Sequence, residues 1–86
     1  MKEFIEYLLK QIVSKPEELS VEEQVDPTNN FHSYRVHVSQ DDMGLVIGKE
    51  GRTIKSLRNL TRAKAIKDGI RMNLELAEIG MPDDNL

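Results

Sequence analysis

The chain has no cysteine among its 86 residues. That excludes a disulfide framework and the usual cysteine-based zinc sites, and it fits a reducing compartment. Long apolar runs are missing too. Glu3, Glu6 and Lys10 interrupt the N-terminal segment, and its longest uncharged stretch before Lys10 is Tyr7-Leu8-Leu9. A signal peptide or membrane span needs far more, so no membrane insertion is expected and the cytoplasm is the default location. There is no internal repeat and no low-complexity tract. At this length the chain makes one domain, and 38% hydrophobic residues suit a globular one. So small a domain buries only about two-thirds of its unfolded surface, which demands a compact core.

An excess of positive charge is also absent: the net charge is −3. This argues against a generic nucleic-acid binder, but the average conceals a split. Residues 49–71 hold eight basic side chains (Lys49, Arg52, Lys55, Arg58, Arg62, Lys64, Lys67, Arg71) against Glu50 and Asp68, a balance of +6 that leaves −9 elsewhere. One basic face that meets an anion, with an acidic remainder that keeps the chain soluble, accounts for the asymmetry; so does a merely solvated basic helix.

Phe4, Ile5, Leu8, Leu9, Ile12 and Val13 form the apolar stripe of an amphipathic helix, expected over residues 2–14 and ended by Ser14-Lys15-Pro16. Val21, Glu23 and Val25 alternate with Glu22 and Gln24 as a short strand. After the turn-forming Asp26-Pro27-Thr28-Asn29-Asn30, Tyr34, Val36 and Val38 make a second strand with one buried face. Asp41 and Asp42 are placed to cap a short helix from Met43 to Ile47. A longer helix runs from Arg52 to about Asp68 and stops at Gly69. Ile70, Met72, Leu74 and Leu76 then alternate as a last strand. The expected architecture is α+β in the order α-β-β-α-α-β, with a three-stranded sheet and three helices on one face. It forms one domain over residues 1–79, with a core of about 20–77 and a flexible tail at 80–86.

Between the two later helices stands Val46-Ile47-Gly48-Lys49-Glu50-Gly51-Arg52-Thr53-Ile54. Two glycines three apart free the backbone for a sharp turn and let a ligand approach it. The second helix starts there, so its unpaired N–H groups and positive dipole end face the loop, and Lys49 and Arg52 add charge at the same place. Gly-x-x-Gly alone is a common inter-helix turn; flanked by Ile47 and Ile54 and by these elements it suits a run of phosphates.

Ile-Gly-Lys-Glu-Gly-Arg-Thr-Ile resembles the signature of KH domains, whose loop clamps about four nucleotides of backbone. The element order is similar to the type II arrangement, and the likeness extends over nearly the whole chain. It is nearest to the short bacterial KhpA/YlqC-like proteins. The resemblance implies single-stranded RNA as ligand and a role as RNA chaperone or post-transcriptional regulator linked to cell-envelope homeostasis and cell length. It also implies pairing with a larger KH-containing RNA-binding protein. Carried over by position, Gly48, Lys49, Glu50 and Gly51 would form the clamp beside Arg52, with Ile47 and Ile54 as an apolar floor for bases. Glu50 places a negative charge inside that clamp, which lowers the affinity expected of one domain.

The long helix supports this reading independently. On a helical wheel Arg58, Arg62, Lys55 and Arg52 fall at about 40°, 80°, 100° and 160° from Ile54, a single stripe of cations. Ile54, Leu57, Thr61 and Ala65 should pack on the sheet. Leu60, Ala63 and Ile66 turn away at about 240°, 180° and 120°, an apolar face suited to a second copy or another KH protein unless Leu60 packs at the sheet margin.

Other chemistries find little support. Residues 44–49 imitate a phosphate-binding loop, but three residues separate the glycines where four are needed, and Glu50 stands where Ser or Thr should hold magnesium. His32 and His37 lie an odd number apart on one strand and so face opposite sides, unable to share a metal. No catalytic grouping, metal site or cofactor is expected. The remaining alternative is a protein-interaction module that keeps this fold without binding RNA, which the acidic remainder and Glu50 would suit.

Overall fold

The N-terminal apolar stripe forms helix α1 (Lys2–Lys10), in which Ile5 and Leu9, one turn apart, are each 1% exposed. In the computed structural model, which describes residues 1–77, strand β1 (Ser20–Asp26) and strand β2 (Phe31–His37) follow as an antiparallel hairpin. Then come helix α2 (Met43–Ile47), helix α3 (Arg52–Asp68) and strand β3 (Arg71–Leu76). The order is the expected α-β-β-α-α-β. Strand β2 is central, and β3 joins it in parallel, which the α2–α3 crossover makes possible. The tail expected at 80–86 lies outside the described residues.

Register sets three rows on the helical side of the sheet: Val21–Val36–Leu76, Glu23–Tyr34–Leu74 and Val25–His32–Met72. Val21, Tyr34, Val36 and Leu74 join Ile5, Leu9, Val38, Val46 and Leu57 in one core, so all three helices contribute to the same face. The opposite face carries Glu22, Arg35 and Glu75, with Arg35 Nη2 3.2 Å from Glu75 Oε1. On the long helix Leu57, Thr61 and Ala65 are buried as expected, and Thr61 turns its hydroxyl back to the Leu57 carbonyl at 2.9 Å. Helix α3 ends where Gly69 adopts φ 74°, a left-handed cap that glycine takes without strain.

Two local expectations need correction. The first helix closes at Lys10 rather than running to residue 14. Beyond it the Ser14 and Lys15 amides each donate 3.0 Å bonds to the Asp42 carboxylate, so they leave the helical ladder for a partner 27 to 28 residues away. Asp42 in turn does not cap α2. Its carboxylate also accepts the Ser14 hydroxyl at 2.7 Å and the Ser39 hydroxyl at 3.1 Å, while Asp41 pairs with Lys15 Nζ at 2.7 Å. Asp42 is fully buried, and the Ser14 donors above all hold its carboxyl down at about 2 against the opposing effect of burial. That clasp fixes the end of α1 against the start of α2. It thereby anchors the turn leading to the glycine loop.

Candidate nucleic-acid interface

The loop between α2 and α3 turns on three positive-φ residues, with Lys49 in an ordinary conformation after the first of them. Gly48 has φ 78° and ψ 171°, Glu50 has φ 57° and ψ 27°, and Gly51 has φ 75° and ψ 16°. The two glycines are needed for different reasons. A Cβ on Gly48 would collide with the Thr53 side chain and lie 2.7 Å from its backbone nitrogen, whereas one on Gly51 would meet nothing within 4 Å. Gly48 therefore allows the loop to close against the first turn of α3, and Gly51 only allows the chain to reverse. Glu50 adopts a left-handed conformation without being glycine, at a cost of about 1–2 kcal/mol.

Around this turn the structure brings together most of the expected residues. Lys49, Glu50 and Arg52 are exposed, Ile47 is 38% exposed at the end of α2, and Lys55 and Arg62 are exposed along α3. Among the described residues Lys49, Lys55 and Arg62 form no ion pair; Arg52 Nη2 lies 3.6 Å from Glu50 Oε1. Ile54 is placed differently from Ile47: it is half-buried and packs against the core, supporting the loop from below. Arg58, at the centre of the cationic stripe, is partly committed. Its Nε donates to the Leu74 carbonyl at 3.1 Å, tying α3 to the edge of the sheet.

That edge is a feature the helical wheel did not reveal. In a parallel ladder alternate residues turn both backbone groups toward or away from the neighbouring strand. Ala77 donates to Val36 at 2.8 Å, so Met72, Leu74 and Leu76 direct their N–H and C=O groups to the open side of β3. A groove lined by Arg58, Thr61, Arg62, Met72, Asn73 and Leu74 runs between this edge and α3. Cations on one wall and outward-facing backbone donors and acceptors on the other suit a phosphate chain carrying bases. A larger hollow on the opposite sheet face is lined by Glu22, Arg35 and Glu75, two carboxylates against one cation that is already paired with Glu75. Gly44 is exposed, with open space where a Cβ would stand, and lies one helical turn before Gly48.

His32 and His37 lie apart on opposite sheet faces, as their spacing requires. His32 Nδ1 is 3.1 Å from Glu23 Oε2, and His37 Nε2 is 3.3 Å from Glu22 Oε1. The Tyr34 hydroxyl donates to the same Glu23 oxygen at 2.8 Å. Burial, and then this carboxylate, push the phenol's pKa well above its usual range. Among the described residues no three acidic or histidine side chains gather as a metal site, and no helix is long and apolar enough to cross a membrane.

A two-helix turn on paired glycines, set against a three-stranded sheet with a parallel edge strand, defines a KH domain. A family model described as KhpA/KhpB, KH domain, matches residues 2–76, and the chain belongs to that family. It is 45% identical over 78 residues to the RNA-binding protein KhpA of Chlamydia trachomatis, covering 91% of this chain and 97% of that protein. The KhpA of Clostridium perfringens is 38% identical over 76 residues, covering 88% and 99%. The KhpA of Listeria monocytogenes is 36% identical over 78 residues, covering 91% and 100%.

Proposed function

We propose that this protein binds single-stranded RNA, gripping the backbone at Gly48-Lys49-Glu50-Gly51 and laying it along Arg52, Lys55, Arg58 and Arg62. The observation that carries this reading is the loop geometry. The close approach of Gly48 to Thr53 turns the chain into the start of α3, whose exposed Arg58 and Arg62 line a groove against the outer edge of β3. The relatives are named RNA-binding proteins, in line with it. Ile47 supplies apolar surface for a base, with Ile54 supporting it from the core side. One loop holds only about four nucleotides, so useful affinity comes from two domains acting together. Leu60 is 51% and Ile66 74% exposed, and Ala63 lies exposed between them. Leu60 thus does not pack away at the sheet margin, and this face is the proposed contact for a second copy or a larger KH-containing RNA-binding protein. In the cell we place the protein in the cytoplasm as an RNA chaperone or post-transcriptional regulator acting on envelope homeostasis and cell length.

The test is a fluorescence-anisotropy titration of single-stranded oligonucleotides at two salt concentrations. Binding should weaken as salt rises, because phosphate contacts release counterions. Replacing both Lys49 and Glu50 by Asp should abolish binding while circular dichroism reports an intact fold. A folded double variant that binds as well as the parent refutes the assignment and favours a protein-interaction module.

A further inference from the structure

Glu50 has no structural reason to be where it is. Its left-handed backbone is one that Asn or Gly takes more readily, so the position carries strain. Nothing around it offsets that strain. The cap of α3 is Gly51, with no side-chain hydrogen bond to the helix start, so the carboxylate does not serve the exposed amides. Among the described residues its one ionic neighbour is Arg52, 3.6 Å away with side-chain exposures of 77% and 70%, a pair too open to water to add much stability. Strain kept without a local return points to function. The remaining consequence of the side chain is its charge, held between the two glycines where a phosphate would sit and beside the loop's own arginine.

We infer that Glu50 is an internal competitor for the RNA backbone: its carboxylate stands beside Arg52 and repels the incoming phosphate, setting a weak, quickly released grip at each single loop. This rests on the loop being the RNA site. It makes Glu50 a tuning residue, one that keeps a lone domain from holding RNA and reserves firm binding for two loops engaged at once.

Two substitutions separate charge from strain. Glu50→Gln removes the charge and keeps the backbone conformation; Glu50→Asp keeps the charge on a residue that tolerates the left-handed region better. With a short fluorescein-labelled single-stranded RNA at about 50 mM salt, Glu50→Gln should bind roughly three- to fivefold tighter, the effect of one unit charge screened by water. The gain should shrink at about 200 mM salt as screening grows. Glu50→Asp, which keeps the charge, should raise the melting temperature and should not reproduce that salt-sensitive tightening. Equal or weaker binding by folded Glu50→Gln overturns the inference, as does tightening by Glu50→Asp to the same degree. If neither the parent nor any variant binds, the error lies in the assignment of the loop as the RNA site, and the inference falls with it.

Discussion

Alanine at Gly48 and at Gly51 tests whether the loop's two glycines do the different things the geometry assigns them. Gly48 combines φ 78° with ψ 171°, a region that other residues occupy only at about 1–3 kcal/mol. Its new methyl would also press on Thr53, whose Cβ lies 2.6 Å from the ideal Cβ position and whose nitrogen lies at 2.7 Å. Overpacking of this kind typically costs a further 1–3 kcal/mol or so. Gly51→Ala meets no atom within 4 Å. Its left-handed cost of about 1–2 kcal/mol is partly offset by the lower chain entropy of alanine in the unfolded state, leaving about 1 kcal/mol.

A domain of this size is stable by roughly 4–13 kcal/mol, so a loss near 4 kcal/mol at Gly48 removes a third or more of the total. Each kcal/mol shifts the midpoint by about 4–8 °C in a small domain. Thermal unfolding followed by circular dichroism should then show a drop of about 15–30 °C for Gly48→Ala and about 4–8 °C for Gly51→Ala. Adding Thr53→Ala to Gly48→Ala should recover only a minor part. It removes the hydroxyl and methyl but leaves the Cβ and backbone nitrogen in place, and the backbone conformation stays unfavourable. Equal losses at the two glycines, or full rescue by Thr53→Ala, would refute the reasoning.

Other outcomes follow from the same structure. Asp42→Asn should destabilise the fold at neutral pH and remove part of its acid sensitivity. The carboxyl lies at about 2 against an ordinary 3.8, so its contribution is complete above the upper value and lost as pH falls toward the lower. Melting curves of the parent and Asp42→Asn should therefore converge across that window. Arg62→Gln should weaken binding to all RNA sequences alike and lower the salt slope by about one. The Arg58→Gln variant should in addition expose the Leu74 carbonyl, seen as faster amide exchange along β3, because Arg58 Nε is bonded there. Leu60→Asp should yield a folded monomer by sedimentation with weaker RNA binding; a parent already monomeric at micromolar concentration, with no KH partner co-purifying, would defeat the dimer proposal.

The elements were legible wherever their cause was local. The 3.6-residue repeat of α3 and its glycine stop lie within one stretch of chain, and so do the alternation of Tyr34, Val36 and Val38 and the Gly48–Gly51 spacing. What escaped were arrangements whose partners lie far apart in sequence. Asp42 reads as a helix cap by position, yet its oxygens are claimed by Ser14 and Lys15 from the end of α1, and only the packed fold brings them there. Wheel geometry put Arg58 in a row with Arg52, Lys55 and Arg62 but could not show that β3 would pass beneath it with an outward-facing carbonyl to accept its Nε–H.

The same limit explains why the groove was invisible while the loop was not. A loop is made of its own residues, whereas a groove needs a strand edge, and which strand is left at the edge depends on sheet order. Here β3 enters beside β2 and ends the sheet, so its outward backbone groups face the cations of the helix that precedes it. The short Gly69 connection fixes that juxtaposition: helix α3 must fold back over the strand it feeds. Sequence adjacency of α3 and β3 thus builds the two walls of the proposed RNA path. The Asp42 clasp holds the start of α2, which leads into the glycine loop, so Asp42→Asn should weaken RNA binding in the anisotropy titration as well as lower stability, although Asp42 does not line the groove.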